Sequence, residues 1–330
     1  MRNKIIILLI FGVTVAAGVS SYIGSGWTAR AIENGPFITE INAEAIAFNR
    51  EDPTARKAGA LTYVGGWALT SESPDFGGWS ALVLGDDAKS ITVLNDKGDW
   101  LEAGLNIAAT ELFTGGLLYP FEKGAGSATK MDYDAESLLR VGTGFLVGLE
   151  QNHRILEVDQ IGGANRLAGY NQLVDLSVLS NNGGIEAMTM LPGGRLMMFA
   201  EHGLDQKNTL PVWIADEKIA ETRRFMPSKN YSPTDAATLP DGDILLLMRH
   251  YSQLDGVSVK VMHLTAAEIA SGETLVGTEL AHLADPVSVD NMEALDIEVL
   301  VDGTVRLYMM SDDNFNPMQR TLLMVFDWKP

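Results

Sequence analysis

Short apolar or alternating runs, separated by glycine-containing turns, recur along this chain at intervals of about 50 residues. Five segments share one scheme: a polar residue opens a short strand, a turn reverses the chain, and a second apolar strand ends in polar residues. The segments begin at Phe76, Tyr133, Gly183, Ser232 and Asp290. Apolar runs joined by Gly-Gly or Asp-Gly are typical of β-hairpins. The chain is therefore predicted to be all-β and built from repeated hairpins.

The second half of each repeat also has an extended pattern, as in VSVKVMHL at 257–264 and LLMVFDW at 322–328. Each repeat is therefore predicted to contain about four strands, which is typical of propeller blades. We expect a β-propeller of six four-stranded antiparallel blades around a central channel, with five blades as the alternative. N-terminal strands are expected to close the last blade, and the clearest helical signal is a short one at 265–273.

The first residues differ from the repeats. Arg2 and Lys4 precede a long apolar stretch that is followed by serines. This layout is typical of a signal peptide, and its length also approaches that of a membrane anchor. We expect 1–24 to be a signal peptide or an N-terminal membrane anchor, 25–36 a short linker, and 37–330 a single exported domain, periplasmic or extracellular. Membrane contact is expected only through an uncleaved N-terminal segment.

Propeller geometry predicts where the polar residues of the repeats meet. The innermost strand of each blade lines the channel and the next strand returns beside it, so the start of the first and the end of the second lie at one mouth. The polar residues that open the inner strands are Ser80, Glu136, Glu186, Asp235 and Glu293. The residues expected from the returning strands are Asp96, Glu150, Glu201 and Asp312, with Arg249, His202 and His250 among them.

Composition narrows the function. Twenty-four basic residues stand against 43 acidic ones, and the net charge of -19 repels phosphate backbones, so nucleic acid is not an expected partner. The absence of cysteine leaves oxygen and imidazole as metal ligands. The sequence contains no P-loop, dinucleotide fingerprint or G-x-S-x-G elbow, so neither a nucleotide or organic cofactor nor a serine hydrolase is expected.

Several carboxylates at one mouth repel one another. Two of them about 6 Å apart repel by roughly 3 kcal/mol at an effective dielectric constant near 20. Basic side chains such as Arg249, protonation of some acids, or a bound cation would offset this repulsion. Because the ligands are mainly oxygen atoms, Ca²⁺ is the expected cation. The opposing interpretation is structural: buried acids accept N–H groups from a neighbouring blade and bind nothing.

Four stretches carry a resemblance to a known family. They are FGGWSALVL from 76, DAESLLRVGTGFLVGLEQNHRI from 134, GGIEAMTMLPGGRLMMFAE from 183, and DNMEALDIEVLVDGTVRLYMMSDDNFNPMQRTLLMVFDW from 290. Together they resemble the phytase-like, or esterase-like activity of phytase, family of bacterial exported proteins. The resemblance implies a β-propeller and a hydrolase of phosphoesters or esters. It adds Asn291 and Asp313 to the polar positions above.

The sequence also departs from the related calcium-dependent propeller phytases. Those proteins carry an Asp-Ala-x-Asp-Asp-Pro stretch, and the nearest string here is DYDAES at 132–137. Phytate is densely anionic and needs several basic side chains, whereas the predicted mouth offers chiefly Arg249. Phytate is therefore a poor candidate for the substrate.

Two classes of function remain open at this point. One is a metal-assisted hydrolase of a small-molecule ester or phosphoester; the other is a noncatalytic propeller that binds a cation, a small ligand or an envelope protein. For the hydrolase, the predicted catalytic residues are Glu136, Glu186 and Glu201. The predicted ligand-binding residues are Ser80, Arg249, His202, His250 and Asn291, and the predicted metal ligands are Asp96, Glu150, Asp235, Glu293, Asp312 and Asp313. A monomer is expected, because a closed propeller leaves no sheet edge to cover.

Overall fold

A computed structural model describes residues 36–120, 133–163, 165–180, 183–216 and 218–330 of the chain. Within these residues the protein is built from 23 strands in five antiparallel sheets. No helix in the described part is long and apolar enough to span a membrane.

The predicted N-terminal segments lie almost wholly outside this description. The proposed signal peptide or anchor, 1–24, is not described, and of the proposed linker, 25–36, only Pro36 is described. Both assignments stay predictions.

Four strands precede the first complete blade. They are β1 (Phe37–Thr39), β2 (Asn42–Ala45), β3 (Lys57–Ala58) and β4 (Leu61–Thr70). Blade 1 then consists of β5 (Trp79–Leu84), β6 (Ser90–Asn95), β7 (Trp100–Leu105) and β8 (Phe113–Tyr119). Blade 2 consists of β9 (Ala135–Val141), β10 (Gly144–Leu149), β11 (Arg154–Val158) and β12 (Asn165–Leu167).

The remaining blades follow the same order. Blade 3 consists of β13 (Ile185–Leu191), β14 (Arg195–Ala200), β15 (Leu210–Ala215) and β16 (Ala220–Phe225). Blade 4 consists of β17 (Ser232–Thr238), β18 (Ile244–Ser252), β19 (Gly256–Leu264) and β20 (Thr278–Leu283). Blade 5 begins with β21 (Met292–Val299), β22 (Val305–Ser311) and β23 (Thr321–Trp328).

The chain closes on itself in blade 5. The C-terminal strand β23 pairs antiparallel with the N-terminal strand β4, which supplies the fourth strand of the blade. The inner strands β5, β9, β13, β17 and β21 each contact the next around the ring. The predicted propeller and its closure by N-terminal strands are therefore confirmed, with five blades.

The preferred count of six blades is not supported. The other N-terminal strands extend two existing sheets: β1 pairs with the outer edge of blade 1, whereas β2 and β3 flank β4 in blade 5. A strand that joins an existing edge satisfies its backbone hydrogen bonds without a new hairpin repeat. Length alone overestimated the number of blades for this reason.

Buried apolar side chains fill the spaces between neighbouring blades. Five clusters are present in the described residues, one at each blade–blade contact; for example, Leu247 of blade 4 packs in one cluster with Leu307 of blade 5. Both faces of strands such as β5 and β14 are therefore buried, which explains why these two strands are almost continuously apolar. The stacked blades hold their five inner strands in fixed positions around the channel.

The short helices of the described residues lie in connections between strands. The helix α1 (Ala266–Ser271) begins at Thr265, whose hydroxyl accepts the N–H of Glu268, and it ends at Gly272, which has a φ of 80°. This confirms the short helix predicted at 265–273. Two 3-10 turns, at Gly169–Gln172 and Leu176–Val178, lie between blades 2 and 3.

Candidate functional site

The same irregularity occurs near the start of every inner strand. In each blade one residue of the inner strand is skipped by the pairing with the second strand, which is a β-bulge. The skipped residues are Ser80, Glu136, Glu186, Thr234 and Glu293. A bulge bends the strand and redirects the side chain at that position, so these five side chains form an equivalent set around one mouth of the channel.

A second equivalent set comes from the returning strands. In four blades, the residue just after the second strand donates its N–H to the carbonyl oxygen two residues before the bulge, at 2.8 to 3.2 Å. In blade 4 the matching residue pairs with Ser232. The members of this set are Asp96, Glu150, Glu201, Arg249 and Asp312. We call these two sets together the carboxylate ring; seven of its ten members are acids.

The acids of blades 2 and 3 form two overlapping triads. Asp134, Glu136 and Glu150 each place one carboxylate oxygen within 4.8 Å of the others, and so do Glu150, Glu186 and Glu201. Glu150 therefore belongs to both triads. Carboxylate oxygens grouped at this spacing are the ligands that hard cations such as Ca²⁺ prefer.

Glu186 is the buried member of the second triad. Its side chain is 8% exposed, and in the described part of the structure it accepts no hydrogen bond and makes no ion pair. Burial, followed by repulsion from Glu201, Glu293 and Glu150, raises its pKa well above the usual value. A buried carboxylate without a donor is costly, and a cation would satisfy it directly.

Glu136 has a similar environment. Burial raises its pKa well above the usual value, and the nearby acids Glu186, Glu293, Asp134 and Glu150 raise it further. The acids that raise the Glu136 pKa come from blades 2, 3 and 5, so side chains of three blades interact across the mouth. The structure thus brings together Glu136, Glu186 and Glu293, the inner-strand acids of three separate blades.

Blade 4 interrupts the acidic pattern. It contributes Thr234 and Arg249 where blades 2, 3 and 5 each contribute two acids. The Arg249 Nη2 lies 3.3 Å from Glu293 Oε1 and 3.8 Å from Glu201 Oε1. Its Nε has no acceptor among the described residues. Arg249 is thus the guanidinium group within the ring and offsets part of its negative charge.

The blade 5 acids are held by neighbouring polar groups. Asn291 donates its Nδ2–H to Glu293 Oε1 at 2.7 Å. Asp312 accepts the N–H of Asn314 at 2.6 Å, while burial and the nearby Glu293 raise the Asp312 pKa to about 9. Asn291 and Asp312 therefore lie beside Glu293, as the sequence analysis expected.

Asp313 and Ser80 are close to the ring but have local partners. Asp313 accepts hydrogen bonds from Gly78 N, Phe315 N and Thr321 Oγ1, so both of its carboxylate oxygens are already used. Ser80 is buried and donates to the Gly78 carbonyl at 3.4 Å. These contacts hold the Gly78 turn against the 313–315 loop and favour a structural role for both side chains.

The two candidate histidines differ in position. His202 Nδ1 lies 2.6 Å from Glu201 Oε2, and this contact raises the His202 pKa. His250 instead points to its own blade, where its Nδ1 lies 2.8 Å from the carbonyl oxygen of Asn230 and its ring packs on Tyr231. The structure therefore brings His202, but not His250, into contact with the ring.

Asp235 lies outside this carboxylate ring. The bulge of β17 falls on Thr234, and Asp235, one residue further, accepts the N–H groups of Ala236 and, across the blade contact, Leu295 at 2.7 Å. Asp296 does the same toward Leu84 at 2.7 Å. Both carboxylates therefore link neighbouring blades by hydrogen bonds, which is the structural role that the sequence analysis offered as the opposing interpretation of the acids.

Two residues of the site were missed from the sequence. Asp134 is fully buried, belongs to one triad and accepts a hydrogen bond from Gln151 Nε2 at 2.6 Å; it precedes the bulge by two residues. Thr234 holds the bulge position of blade 4 and donates to the Met292 carbonyl of blade 5 at 3.2 Å. Both positions are defined by the bulges, which are visible only in the pairing of the strands.

Comparison with solved structures gives low identities. An endo-arabinase from Bacteroides thetaiotaomicron is 8% identical, with a TM-score of 0.47 over 76% of this chain and 94% of that one. A structure of YCF48 bound to D1 peptide is 9% identical, with a TM-score of 0.36 over 92% and 98%. A hypothetical protein from Leishmania major is 9% identical, with a TM-score of 0.40 over 89% and 86%.

Comparison of the sequence itself is more informative. No curated protein matches the chain. The family described as Phytase-like, esterase-like activity of phytase, matches residues 74–315, which include all five inner strands and every member of the carboxylate ring. This chain therefore belongs to the phytase-like family.

Proposed function

We propose that this protein is an exported, metal-assisted hydrolase of ester or phosphoester bonds, with its active site at the carboxylate ring. The observation that carries the proposal is the pair of overlapping acid triads, which share Glu150 and include the buried Glu186, a carboxylate that accepts no hydrogen bond within the described residues. The sequence features of residues 1–24 support export.

The donor set fits a hard divalent cation. Each triad offers only carboxylate oxygens, from Asp134, Glu136 and Glu150 or from Glu150, Glu186 and Glu201. Ca²⁺ accepts such ligands in flexible geometry, whereas zinc sites usually include nitrogen or sulfur. The buried Glu186 carboxylate supports the same conclusion, because it lacks any donor in the described residues. We therefore assign the two triads as the candidate ion site, with Ca²⁺ as the proposed ion.

When bound, such an ion polarises the substrate oxygen and lowers the pKa of water. The chain itself supplies proton transfer and orientation. Hydrolysis forms a bond between the water oxygen and the acyl carbon or phosphorus and breaks the bond to the alcohol oxygen. The water proton must pass to that oxygen. With an ion in one triad, the acid that belongs only to the other triad, Glu136 or Glu186, is suited to hold this proton, because burial and the neighbouring acids raise its pKa.

Arg249 has a positioning role in this scheme. Its guanidinium lies between Glu293 and Glu201, from blades 5 and 3, and fixes both carboxylates at the mouth. His202, at 2.6 Å from Glu201, holds the second oxygen of that residue. Together they keep Glu201 oriented beside the triad that it shares with Glu186.

The proposal is tested by measuring metal content and hydrolysis on the same preparation. The purified domain should retain a divalent ion and hydrolyse para-nitrophenyl acetate or para-nitrophenyl phosphate, and a chelator should abolish the activity reversibly. Glu186→Gln should lose the activity with its circular dichroism spectrum unchanged. Glu273→Gln, the same substitution at an exposed loop acid, is the matched control. A metal-free protein that is inactive on both esters would instead favour a noncatalytic binding propeller.

A further inference from the structure

A cleft between blades 4 and 5 leads away from the carboxylate ring. Its volume is about 750 Å³, which is within the range of small-molecule sites. Its inner end is formed by Arg249, Asn291 and Glu293, all of which lie in or against the ring. Its outer rim includes Tyr251 and Met318, which are 61% and 90% exposed. A molecule in the cleft would therefore reach the ring at one end and solvent at the other.

The walls of the cleft carry polar groups that are not used by the protein. The side-chain amides of Asn314 and Gln319 and the hydroxyl of Tyr251 make no hydrogen bond within the described residues. They are neutral groups that both donate and accept. Val257, Val287 and other apolar side chains lie between them. The lining thus combines an aromatic ring, amides and short apolar stretches, which suits a ligand with hydroxyl groups and a carbon skeleton.

One wall is a strained loop. Asn314 and Phe315 are consecutive non-glycine residues with φ values of 50° and 48°. Such conformations are disfavoured for residues with a side chain and persist where the surroundings fix them. The carboxylates of Asp312 and Asp313 do so here by accepting the N–H groups of Asn314 and Phe315. The loop therefore presents Asn314 to the cleft in a fixed orientation.

The charges of the cleft argue against a multiply charged anion. Four carboxylates line it, against the guanidinium groups of Arg50 and Arg249. Arg50 pairs with Asp285, and Arg249 pairs with Glu293. Both cations of the described lining are therefore already engaged by acids. A phosphate dianion would need several additional charge-assisted donors, whereas a neutral ligand needs none.

We propose that this cleft binds a neutral, hydroxyl-rich molecule of the sugar or polyol class and directs a carboxylic ester on it toward the carboxylate ring. The reaction part rests on the proposed hydrolase function; the binding part does not. In this arrangement Tyr251 packs against the carbon skeleton, the amides of Asn314 and Gln319 bond the hydroxyl groups, and the ester reaches the ring beside Arg249 and Glu293.

Direct binding tests the cleft without relying on catalysis. N-acetylglucosamine is a suitable probe, because it is neutral and hydroxyl-rich and its amide replaces a hydrolysable ester. Calorimetry or ligand-detected NMR on the Ca²⁺-supplemented protein should show binding that Tyr251→Ala weakens about tenfold and Gln319→Ala several-fold. Leu254→Ala should bind like wild type, since Leu254 lies on the same hairpin, is 96% exposed and does not line the cleft. Glucose 6-phosphate should bind at least about tenfold more weakly than the neutral probe.

The possible outcomes separate the two proposals. Absence of binding, equal binding by Tyr251→Ala and wild type, or tighter binding of glucose 6-phosphate would overturn the assignment of the cleft. If the protein binds the neutral probe through Tyr251 but hydrolyses no ester, the hydrolase proposal fails and the cleft stands. If it hydrolyses sugar esters with a KM that Tyr251→Ala leaves unchanged, the cleft assignment alone fails.

Discussion

Glu186→Gln should stabilise the ion-free protein, the reverse of what most core substitutions do. Glu186 is buried, has no donor in the described residues, and shares a triad with Glu150 and Glu201. Gln has nearly the same shape but carries no charge. The substitution therefore removes the electrostatic cost of the site with little change in packing.

The size of this effect follows from the geometry. Charges within 4.8 Å of each other repel by more than about 3 kcal/mol at an effective dielectric constant of 20. The alternative is to protonate an acid of ordinary pKa near 4.5, which costs about 3 kcal/mol at pH 7. Either way the ion-free protein bears about 3 kcal/mol at Glu186. The unpaired amide of Gln retains about 1 kcal/mol of this, so the expected gain is about 2 kcal/mol.

Urea denaturation at pH 7 measures the change, first with a chelator and then with Ca²⁺. Ca²⁺ at about 100 times its dissociation constant should raise the unfolding free energy of the wild type by about 2.7 kcal/mol. Glu186→Gln should lose most of this gain, because one charged ligand is missing. When the ion is added, the unfolding free energies of wild type and Glu186→Gln should therefore converge, or the wild type should become the more stable of the two.

Glu273→Gln controls for the chemistry of the substitution, since Glu273 lies exposed on a loop after α1. It should change neither the ion-free stability nor the response to Ca²⁺. The electrostatic account of the ring fails if Glu186→Gln is less stable than wild type in chelator and still gains as much from Ca²⁺.

Three further predictions concern the frame around the ring. Arg249→Met should lower the unfolding free energy of the ion-free protein by about 3 to 5 kcal/mol, because it leaves buried carboxylates without their guanidinium; equal urea midpoints would contradict this. In urea denaturation, Gly78→Ala should be much more destabilising than Gly303→Ala. Both glycines have a positive φ, of 65° and 81°. A new Cβ at Gly78 would lie 2.2 Å from the Phe315 ring, whereas a Cβ at Gly303 meets nothing within 4 Å. A similar loss of unfolding free energy in the two variants would contradict the close packing of the Gly78 turn on the 313–315 loop. Burial raises the Asp296 pKa from 3.8 to about 6. The folded protein therefore binds the Asp296 proton more tightly than the unfolded chain does. Wild-type stability should fall as the pH rises from about 4 to about 6, because a buried carboxylate must then lose its proton. The stability of Asp296→Asn relative to wild type should therefore increase by about 2 kcal/mol over that range, allowing for partial solvent screening; a difference that stays constant with pH would show that the pKa is not raised.

The local pattern of the chain predicted the repeated hairpins well. Strands β13 and β14 lie where the two apolar runs around the Pro192-Gly193-Gly194 turn predicted them, because apolar side chains and turn glycines act over a few residues. The number of blades was predicted less well. Whether a short strand such as β1 starts a new sheet or joins the edge of blade 1 depends on contacts with residues far along the chain.

In the candidate site, too, some positions were predictable from the local sequence and others depended on contacts with distant residues. Spacing placed Glu136, Glu186 and Glu293 correctly at one mouth, since all three open inner strands of equivalent blades. Spacing also favoured Asp235, but the bulge in β17 falls one residue earlier, on Thr234. A shift of one residue turns a strand side chain to the opposite face of the sheet. The Asp235 carboxylate, which was expected at the mouth, therefore accepts the N–H of Leu295 from the neighbouring blade instead.

The sequence by itself determined that the chain forms repeated β-hairpins and that an acid stands near the start of most of them, because turn chemistry and side-chain alternation are local properties. The tertiary structure decided which acids meet, that Glu150 joins two triads, that Arg249 stands where other blades have an acid, and that a cleft opens beside it. These features depend on the closure of β4 onto β23 and on the positions of the bulges. Both are set by packing between blades, which brings together side chains from different repeats of the chain.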